Sequence, residues 1–185
     1  LGTVEYPTGN VMVELKAGIP TYTIIEGVAW DHIPLTQEAI ELVKKADAVC
    51  YGTLALRAQG SRETILSLLS YAREDALRFF DINIRQSYYS KELIETLLHK
   101  ANVFKVNDEE LVLLRGMCDL DGSDEAVCRQ MLRKYNLKYV ILTAGSAFSS
   151  IYSPEEQSTI LTPKVEVADT VGAGDSFSGA FVYSI

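Results

Sequence analysis

The amino-acid sequence predicts an α/β protein built around a mostly parallel β-sheet. Short apolar, β-rich segments alternate with segments of helical periodicity along most of the chain, and the connections between them are short. Such alternation requires a parallel sheet covered by helices on both faces and joined by right-handed crossovers. The chain has 185 residues, of which 48% are hydrophobic, enough to fill the core of one domain.

The first part of the chain predicts a β-hairpin. Residues 10–15 alternate apolar and other side chains, and residues 21–25 are again β-rich. Gly18 and Pro20 provide the turn between them.

The segments after the hairpin predict the alternation itself. Helices are expected over 36–45, 61–74, 90–99, from 107 onward and over 123–135. Strands are expected over 48–51, 77–83, 103–106 and 139–143, and short edge strands over 148–152, 159–161 and 165–167. The candidate helix N-caps are Thr36, Ser90 and Asn107, and the last of these predicted helices begins at Ser123.

A glycine-rich turn near the C-terminal end predicts an anion site. Gly172, Ala173 and Gly174 precede Asp175 and an apolar run of helical spacing over 177–181. The first N–H groups of a helix are free donors and attract an anion. The Asp175 carboxylate would repel that anion unless it takes a proton from the attacking group. The alternative is an ordinary helix start with an acidic first turn.

Polar residues follow each predicted parallel strand. Ligands of such sheets bind at the carboxyl ends of the strands. The candidates are therefore Gly52 and Thr53, Asn83 and Arg85, Asn107 and Glu110, and Thr143 and Gly145.

Each candidate also has a structural interpretation. Asn107 and Glu110 have the spacing of a helix capping box, but Glu110 could also hold a hydrated Mg²⁺ and Asn107 a nucleotide phosphate. Side chains two positions apart lie on the same side of an extended segment, so Asp81, Asn83 and Arg85 would face one ligand together. The structural alternative is that they are solvated polar groups at the end of a strand.

Several function classes are disfavoured by composition and spacing. With 25 acidic and 17 basic residues the net charge is -8, without a basic cluster, so we expect neither nucleic acid nor a membrane surface as partner. Three dispersed cysteines and two histidines give no zinc pattern. The dinucleotide fingerprint, the P-loop and the hydrolase elbow are missing. We expect a cytoplasmic protein with reduced thiols, and a piece of a longer chain that is inactive alone.

The stretch from Asp169 to Ala180, D-T-V-G-A-G-D-S-F-S-G-A, resembles the C-terminal signature of the ribokinase-like (PfkB-type) carbohydrate kinases. The resemblance extends over nearly the whole chain. V-A-W-D at 28–31, D-I-N-I-R at 81–85 and K-V-N-D-E-E at 105–110 are most similar to the fructokinase branch.

This resemblance implies a ribokinase-like three-layer α/β/α sandwich with a mostly parallel central sheet and a small β lid, incomplete at both ends. Residues 1–30 would form part of the lid and its return strand, and residues 31–185 the central and C-terminal part of the kinase domain. The implied activity is transfer of the γ-phosphoryl group of ATP to a sugar hydroxyl, with fructose as the first candidate. The alternatives are a nucleoside kinase, another carbohydrate kinase or a catalytically silent binding protein of the same fold.

The resemblance also implies roles for individual residues. The base is Asp175, and the anion hole is Gly172, Ala173 and Gly174. The residues implied to contact the nucleotide are Asn107, Thr143 and Gly145. Those implied to contact the sugar are Asn83, Arg85 and Thr53. Glu110 is tied to Mg²⁺, Asp169 falls where some members bind a monovalent cation such as K⁺, and the lid is a candidate homodimer surface. One departure is Gly145-Ser146-Ala147-Phe148, which lacks the family's second glycine.

Overall fold

The computed structural model describes residues 3–16, 19–167 and 170–185. The strands are β1 (Val11–Lys16), β2 (Ile19–Ile24), β3 (Ala48–Tyr51), β4 (Leu77–Asp81), β5 (Val103–Asn107), β6 (Tyr139–Ala144), β7 (Phe148–Tyr152) and β8 (Gln157–Leu161). The helices are α1 (Gln37–Lys45), α2 (Gln59–Ser70), α3 (Lys91–Lys100), α4 (Asp108–Cys118), α5 (Asp124–Lys134) and α6 (Ala173–Ser184), with short 3-10 helices at Ala29–Asp31 and Leu54–Leu56.

The central sheet has six strands, which lie side by side in chain order from β3 to β8. Strands β3 to β6 are parallel, and β7 and β8 are antiparallel. The register pairs Asp81 with Lys105 and Asn107 with Thr143, so the carboxyl ends of β4, β5 and β6 meet at one edge. The predicted α/β class and mostly parallel sheet are confirmed.

The two faces of the sheet are covered unequally. Side chains from α2, α3, α4 and α5 form a large core with one face, around Phe80, Phe104 and Leu142. On the other face Phe79, Val103 and Ile141 pack against Phe181 of α6. Strands added in one direction through right-handed crossovers place their helices on the same face, which explains the asymmetry.

The predicted helix starts are confirmed at four positions. The side chains of four N-cap residues accept an N–H from the first helical turn: Thr36, Ser90, Asn107 and Ser123. These signals are local, because the capping oxygen and the N–H are three residues apart.

Other boundaries differ from the predictions. The helix predicted over 61–74 occupies Gln59–Ser70. The strand predicted over 77–83 ends at Asp81, because Asn83 has a φ of +41° and leaves the extended conformation. Residues 165–167, predicted as a short strand, have no regular secondary structure.

The predicted hairpin is confirmed as the antiparallel pair of β1 and β2, which forms a sheet of its own. Pro20, predicted in the turn, instead lies in β2 opposite Leu15, and Gly18 lies outside the described residues. No helix in the described ranges is both long and apolar enough to span a membrane. The three cysteines are unpaired by disulfides.

Candidate functional site

A cavity of about 950 Å³ opens between the carboxyl ends of β3 and β4 and one side of α6. Four of the predicted site residues line it: Gly52, Thr53, Asn83 and Asp175. Trp30, from the 3-10 helix after the hairpin, forms part of another wall. The cavity therefore brings together residues from four separate parts of the chain.

The predicted anion turn begins α6. Gly172 is the N-cap residue and has a φ of +75°, a conformation that glycine adopts without strain. The Ala173 N–H donates to the Thr170 carbonyl oxygen at 3.2 Å, and the Ser176 N–H donates to that of Gly172 at 2.8 Å. Gly174 and Asp175 lie between them in the first turn, where N–H groups have no partner within a helix.

A buried lysine, which the sequence reasoning did not single out, lies beside this turn. The Lys105 ammonium is 2.6 Å from a carboxylate oxygen of Asp81, and the Lys105 side chain is 8% exposed. The Ser178 hydroxyl lies 3.1 Å from the same oxygen of Asp81. A Cβ added to Gly174 would be 3.4 Å from the Lys105 nitrogen. A positive charge is thus held next to the expected anion position.

Thr53 and Gly52 join the ends of β3 and β4. The Thr53 hydroxyl is buried and donates to the Ile82 carbonyl oxygen at 2.8 Å. A Cβ on Gly52 would lie 2.7 Å from the Asp81 carbonyl oxygen, so only glycine fits this approach without a shift of the backbone. The Thr53 oxygen retains capacity to accept a hydrogen bond from a ligand.

Asn83 and Arg85 do not share one side of an extended segment, contrary to the prediction. The strand ends at Asp81, and the left-handed conformation of Asn83 breaks the period of two. Asp81 and Asn83 line the cavity. Arg85 is exposed, is not among the residues that line the cavity, and donates to the Ile84 carbonyl oxygen at 3.0 Å.

Asn107 and Glu110 form the predicted capping box of α4. The Asn107 side-chain oxygen accepts the Glu110 N–H at 2.8 Å, and Glu110 accepts the Asn107 N–H at 2.9 Å. The second carboxylate oxygen of Glu110 accepts the Ile84 N–H at 2.8 Å. Burial raises the pKa of Glu110, and the two N–H donors partly offset that effect.

The described residues contain no group of three or more His, Cys, Asp or Glu that could hold a metal ion. Mg²⁺ at phosphate-transfer sites is usually bound by one or two carboxylates, substrate phosphates and water. The Glu110 carboxylate, with both oxygens already accepting N–H groups, suits contact with such an ion through water. The magnesium role of Glu110 stays a prediction.

Thr143 and Gly145 lie at the carboxyl end of β6 and just after it. Thr143 is the register partner of Asn107, and Gly145 has a φ of +47°. Neither residue lines the cavity, so they form a second group of candidates beside it. Asp169, expected near a monovalent cation, lies outside the described residues.

Comparison with known proteins identifies the class to which this fold belongs. The model of the pfkB family carbohydrate kinases matches residues 5–185. The chain therefore belongs to the PfkB family of carbohydrate kinases.

Three known proteins illustrate the relationship. A probable fructokinase-2 of Arabidopsis thaliana is 31% identical over 152 residues, which cover 79% of this chain and 45% of the relative. The structure of a fructokinase with bound ATP from Xylella fastidiosa matches with a TM-score of 0.84 and 20% identity, covering 98% of this chain and 57% of that one. A double-mutant fructokinase from Vibrio cholerae O395, in a form with bound fructose, ADP and potassium ion, matches with a TM-score of 0.74 and 22% identity, covering 98% and 59%.

The two structural matches show that the fold is shared. The chain spans about half the length of the curated relatives that it matches.

Proposed function

We propose that this chain forms the phosphoryl-transfer part of an ATP-dependent sugar kinase, with fructose as the acceptor. The observation that carries the proposal is the position of Asp175. Its carboxyl group lies in the first turn of α6 and lines the same cavity as Asn83 and Thr53. A base, an anion-binding turn and polar groups for an acceptor thus meet in one place.

The relatives support the choice of substrates. The protein from Xylella fastidiosa binds ATP, and the one from Vibrio cholerae binds fructose, ADP and potassium ion. We extend to this chain the ATP and fructose of those proteins. A potassium ion near Asp169 and a homodimer through β1 and β2 are part of the same proposal.

In the proposed reaction Asp175 accepts the proton of the attacking sugar hydroxyl. The hydroxyl oxygen forms a bond to the γ-phosphorus while the bond between that phosphorus and the bridging oxygen of ADP breaks. The proton stays on the Asp175 carboxylate until it passes to solvent. Such proton transfer typically accelerates a reaction about 10²–10⁴-fold.

The turn and Lys105 stabilise the charge on the transferring group. The first N–H groups of α6 point towards an anion at the helix N-terminus, where the helix dipole is positive. The Lys105 ammonium lies close to Gly174, and its pairing with Asp81 holds it in place while reducing the positive charge that it presents to an anion. Preorganised donors of this kind stabilise a transition state because they need no reorganisation during the reaction.

The nucleotide side is assigned to the second group of candidates. Asn107, Thr143 and Gly145 would contact the nucleotide, and Glu110 would approach Mg²⁺ through water. When bound, Mg²⁺ neutralises charge on the nucleotide phosphates.

The test is the substitution Asp175→Asn in the full-length protein. We expect kcat with ATP and fructose to fall about 10²–10⁴-fold, since the amide cannot accept the hydroxyl proton. ATP binding, measured by calorimetry, should change little. A variant with the kcat of the wild type would overturn the role of Asp175.

The control is Glu155→Gln, which removes an exposed carboxylate from the turn between β7 and β8. This control should keep the kcat of the wild type. The wild type is also assayed with a panel of sugars and nucleosides. Turnover of a nucleoside in preference to fructose would favour a nucleoside kinase, and intact ATP binding without any turnover a silent binding protein.

A further inference from the structure

Trp30 lines the cavity and packs against a buried ion pair. The Arg57 guanidinium donates to both carboxylate oxygens of Asp31 at 2.8 Å, and both side chains are 4% exposed. The centre of the same guanidinium lies 3.8 Å from the centroid of the Trp30 ring. One planar group therefore pairs with Asp31 and stacks on its neighbour in the chain.

The pair also ties together two elements that are distant in sequence. Arg57 follows the 3-10 helix at the end of β3, and it donates to the Ile25 carbonyl oxygen at 2.6 Å, just beyond β2. Asp31 accepts the N–H groups of Gly27 and Val28 at 2.9 and 3.3 Å. The Arg57 guanidinium thus binds the segment that leads from the hairpin back to the sheet through hydrogen bonds at two points, Ile25 and Asp31.

Two further contacts fix the position of Trp30. The Trp30 carbonyl oxygen accepts the Ser61 hydroxyl at 2.9 Å. Gly9 approaches the edge of the indole so closely that a Cβ there would lie 2.4 Å from the indole nitrogen. The indole is therefore held by Arg57 on its face and by Gly9 at its edge, and it borders the cavity.

The position of Trp30 favours the acceptor over the nucleotide. Trp30 lines the same cavity as Asp175, Asn83 and Thr53, whereas Asn107, Thr143 and Gly145 do not line it. Aromatic walls with a few directed polar groups are the usual construction of small-molecule sites. The apolar C–H face of a sugar ring suits a flat aromatic surface.

We propose that Arg57, paired with Asp31, is a positioning residue that fixes Trp30 as the packing surface for the sugar acceptor. Arg57 itself need not contact the sugar. The inference rests on the proposed function, because it assumes that this cavity takes the acceptor.

The test compares Arg57→Lys with Arg73→Lys in the full-length protein. Lysine at position 57 keeps the charge beside Asp31, which favours folding, but it lacks the planar group that stacks on the indole. Arg73 is a matched control, because its ion pairs with Asp47 and Asp75 are on the surface. The melting temperature of each variant shows whether the fold is kept.

We expect KM for fructose to rise about ten-fold in Arg57→Lys, with kcat and KM for ATP within about two-fold of the wild type. Arg73→Lys should leave all three parameters unchanged. An equal rise in KM for fructose and KM for ATP, or no rise in either, would overturn the inference.

A second variant, Gly9→Ala, displaces the indole without any change at Arg57. We expect it to raise KM for fructose in the same way, and a normal KM in this variant would also count against the inference.

A fluorescence experiment tests the contact between Trp30 and the sugar directly. The difference in emission between the wild type and Trp30→Phe isolates the fluorescence of Trp30. That signal should change on addition of fructose in the wild type and less so in Arg57→Lys.

The two failures can be told apart. If the wild type phosphorylates no sugar and Trp30 emission does not respond to sugar, the proposed function fails together with the inference. If the wild type phosphorylates fructose and Arg57→Lys and Gly9→Ala keep its KM, the inference alone fails.

Discussion

At the scale of single residues, the buried pair of Asp31 and Arg57 has a clear electrostatic consequence for stability. Hydrogen bonds from Arg57 hold the pKa of Asp31 below its ordinary value, against the burial that would raise it. Both side chains are almost fully removed from solvent. Removal of one partner from such a pair leaves an uncompensated buried charge.

The pair therefore predicts how stability depends on pH. Because the folded state lowers the pKa of Asp31, the pair contributes its full stability above about pH 4 and loses it as the pH falls further. The substitution Asp31→Asn should lower the free energy of unfolding at pH 7 by about 3–5 kcal/mol. The loss of stability that the wild type shows as the pH falls below about 4 should also be smaller in Asp31→Asn. Urea unfolding at a series of pH values measures both effects.

The control for this experiment is Asp75→Asn, which breaks an exposed ion pair with Arg73. We expect little change in its unfolding midpoint at pH 7. If Asp31→Asn and Asp75→Asn gave the same acid profile, the assignment of the effect to the buried pair would be wrong.

Sequence reasoning could predict local features of the site but not its long-range contacts. The caps at Thr36, Ser90 and Ser123 were predictable because each involves residues three positions apart. The contact between Lys105 and Asp81 joins residues 24 positions apart, and that between Ser178 and Asp81 joins residues 97 apart. Only the register of β4 and β5 and the docking of α6 bring these groups together.

At the scale of elements, α4 starts from a cap that also holds a neighbouring loop. One carboxylate oxygen of Glu110 accepts the Asn107 N–H within the cap, and the other accepts the Ile84 N–H from the segment after β4. The sequence predicted the cap, but it could not predict the contact with Ile84, which is 26 positions away. The same side chain thus stabilises a helix and the loop that follows Asn83.

This double contact gives a prediction for Glu110→Gln. The amide nitrogen of glutamine cannot accept a hydrogen bond, so either the Asn107 or the Ile84 N–H is left unsatisfied. We expect the free energy of unfolding to fall by about 1–3 kcal/mol, with or without Mg²⁺. The Mg²⁺ concentration for half-maximal turnover should also rise, since the proposed contact through water is weakened.

Glu109→Gln is the matched control, because Glu109 is the neighbouring carboxylate and is exposed. It should leave both unfolding and the Mg²⁺ requirement unchanged. A stable Glu110→Gln variant would contradict the structural role, and an unchanged Mg²⁺ requirement would contradict the magnesium role.

At the scale of the whole molecule, the candidate site depends on how firmly α6 is docked. In the described part of the chain, α6 is the helix that packs on the face opposite to α2–α5. Phe181 makes this contact, with ring centroids 5.8 Å from those of both Phe79 and Tyr139. The N-terminus of the same helix carries Gly172 and Asp175.

The substitution Phe181→Ala should therefore loosen the site without melting the large core. A buried phenylalanine replaced by alanine typically costs about 3–5 kcal/mol. We expect hydrogen exchange to accelerate in α6 while the amides of β5 stay protected, together with a loss of turnover. Leu114→Ala, in the large core, should instead accelerate exchange in all the slowest amides. Uniform acceleration in Phe181→Ala would show that α6 is not an independently opening unit.

The order of the strands in the central sheet has a consequence for how the chain folds. Within the described six-stranded sheet, each pairing joins two strands that are consecutive in the sequence, from β3 with β4 to β7 with β8. Among these described pairings, each step closes a loop that contains at most the helices between two consecutive strands, so its entropy cost is lower than for strands that are far apart in the sequence. During synthesis the strands from β3 to β8 can therefore pair in the order in which they are made, before α6 brings the candidate anion turn to the sheet.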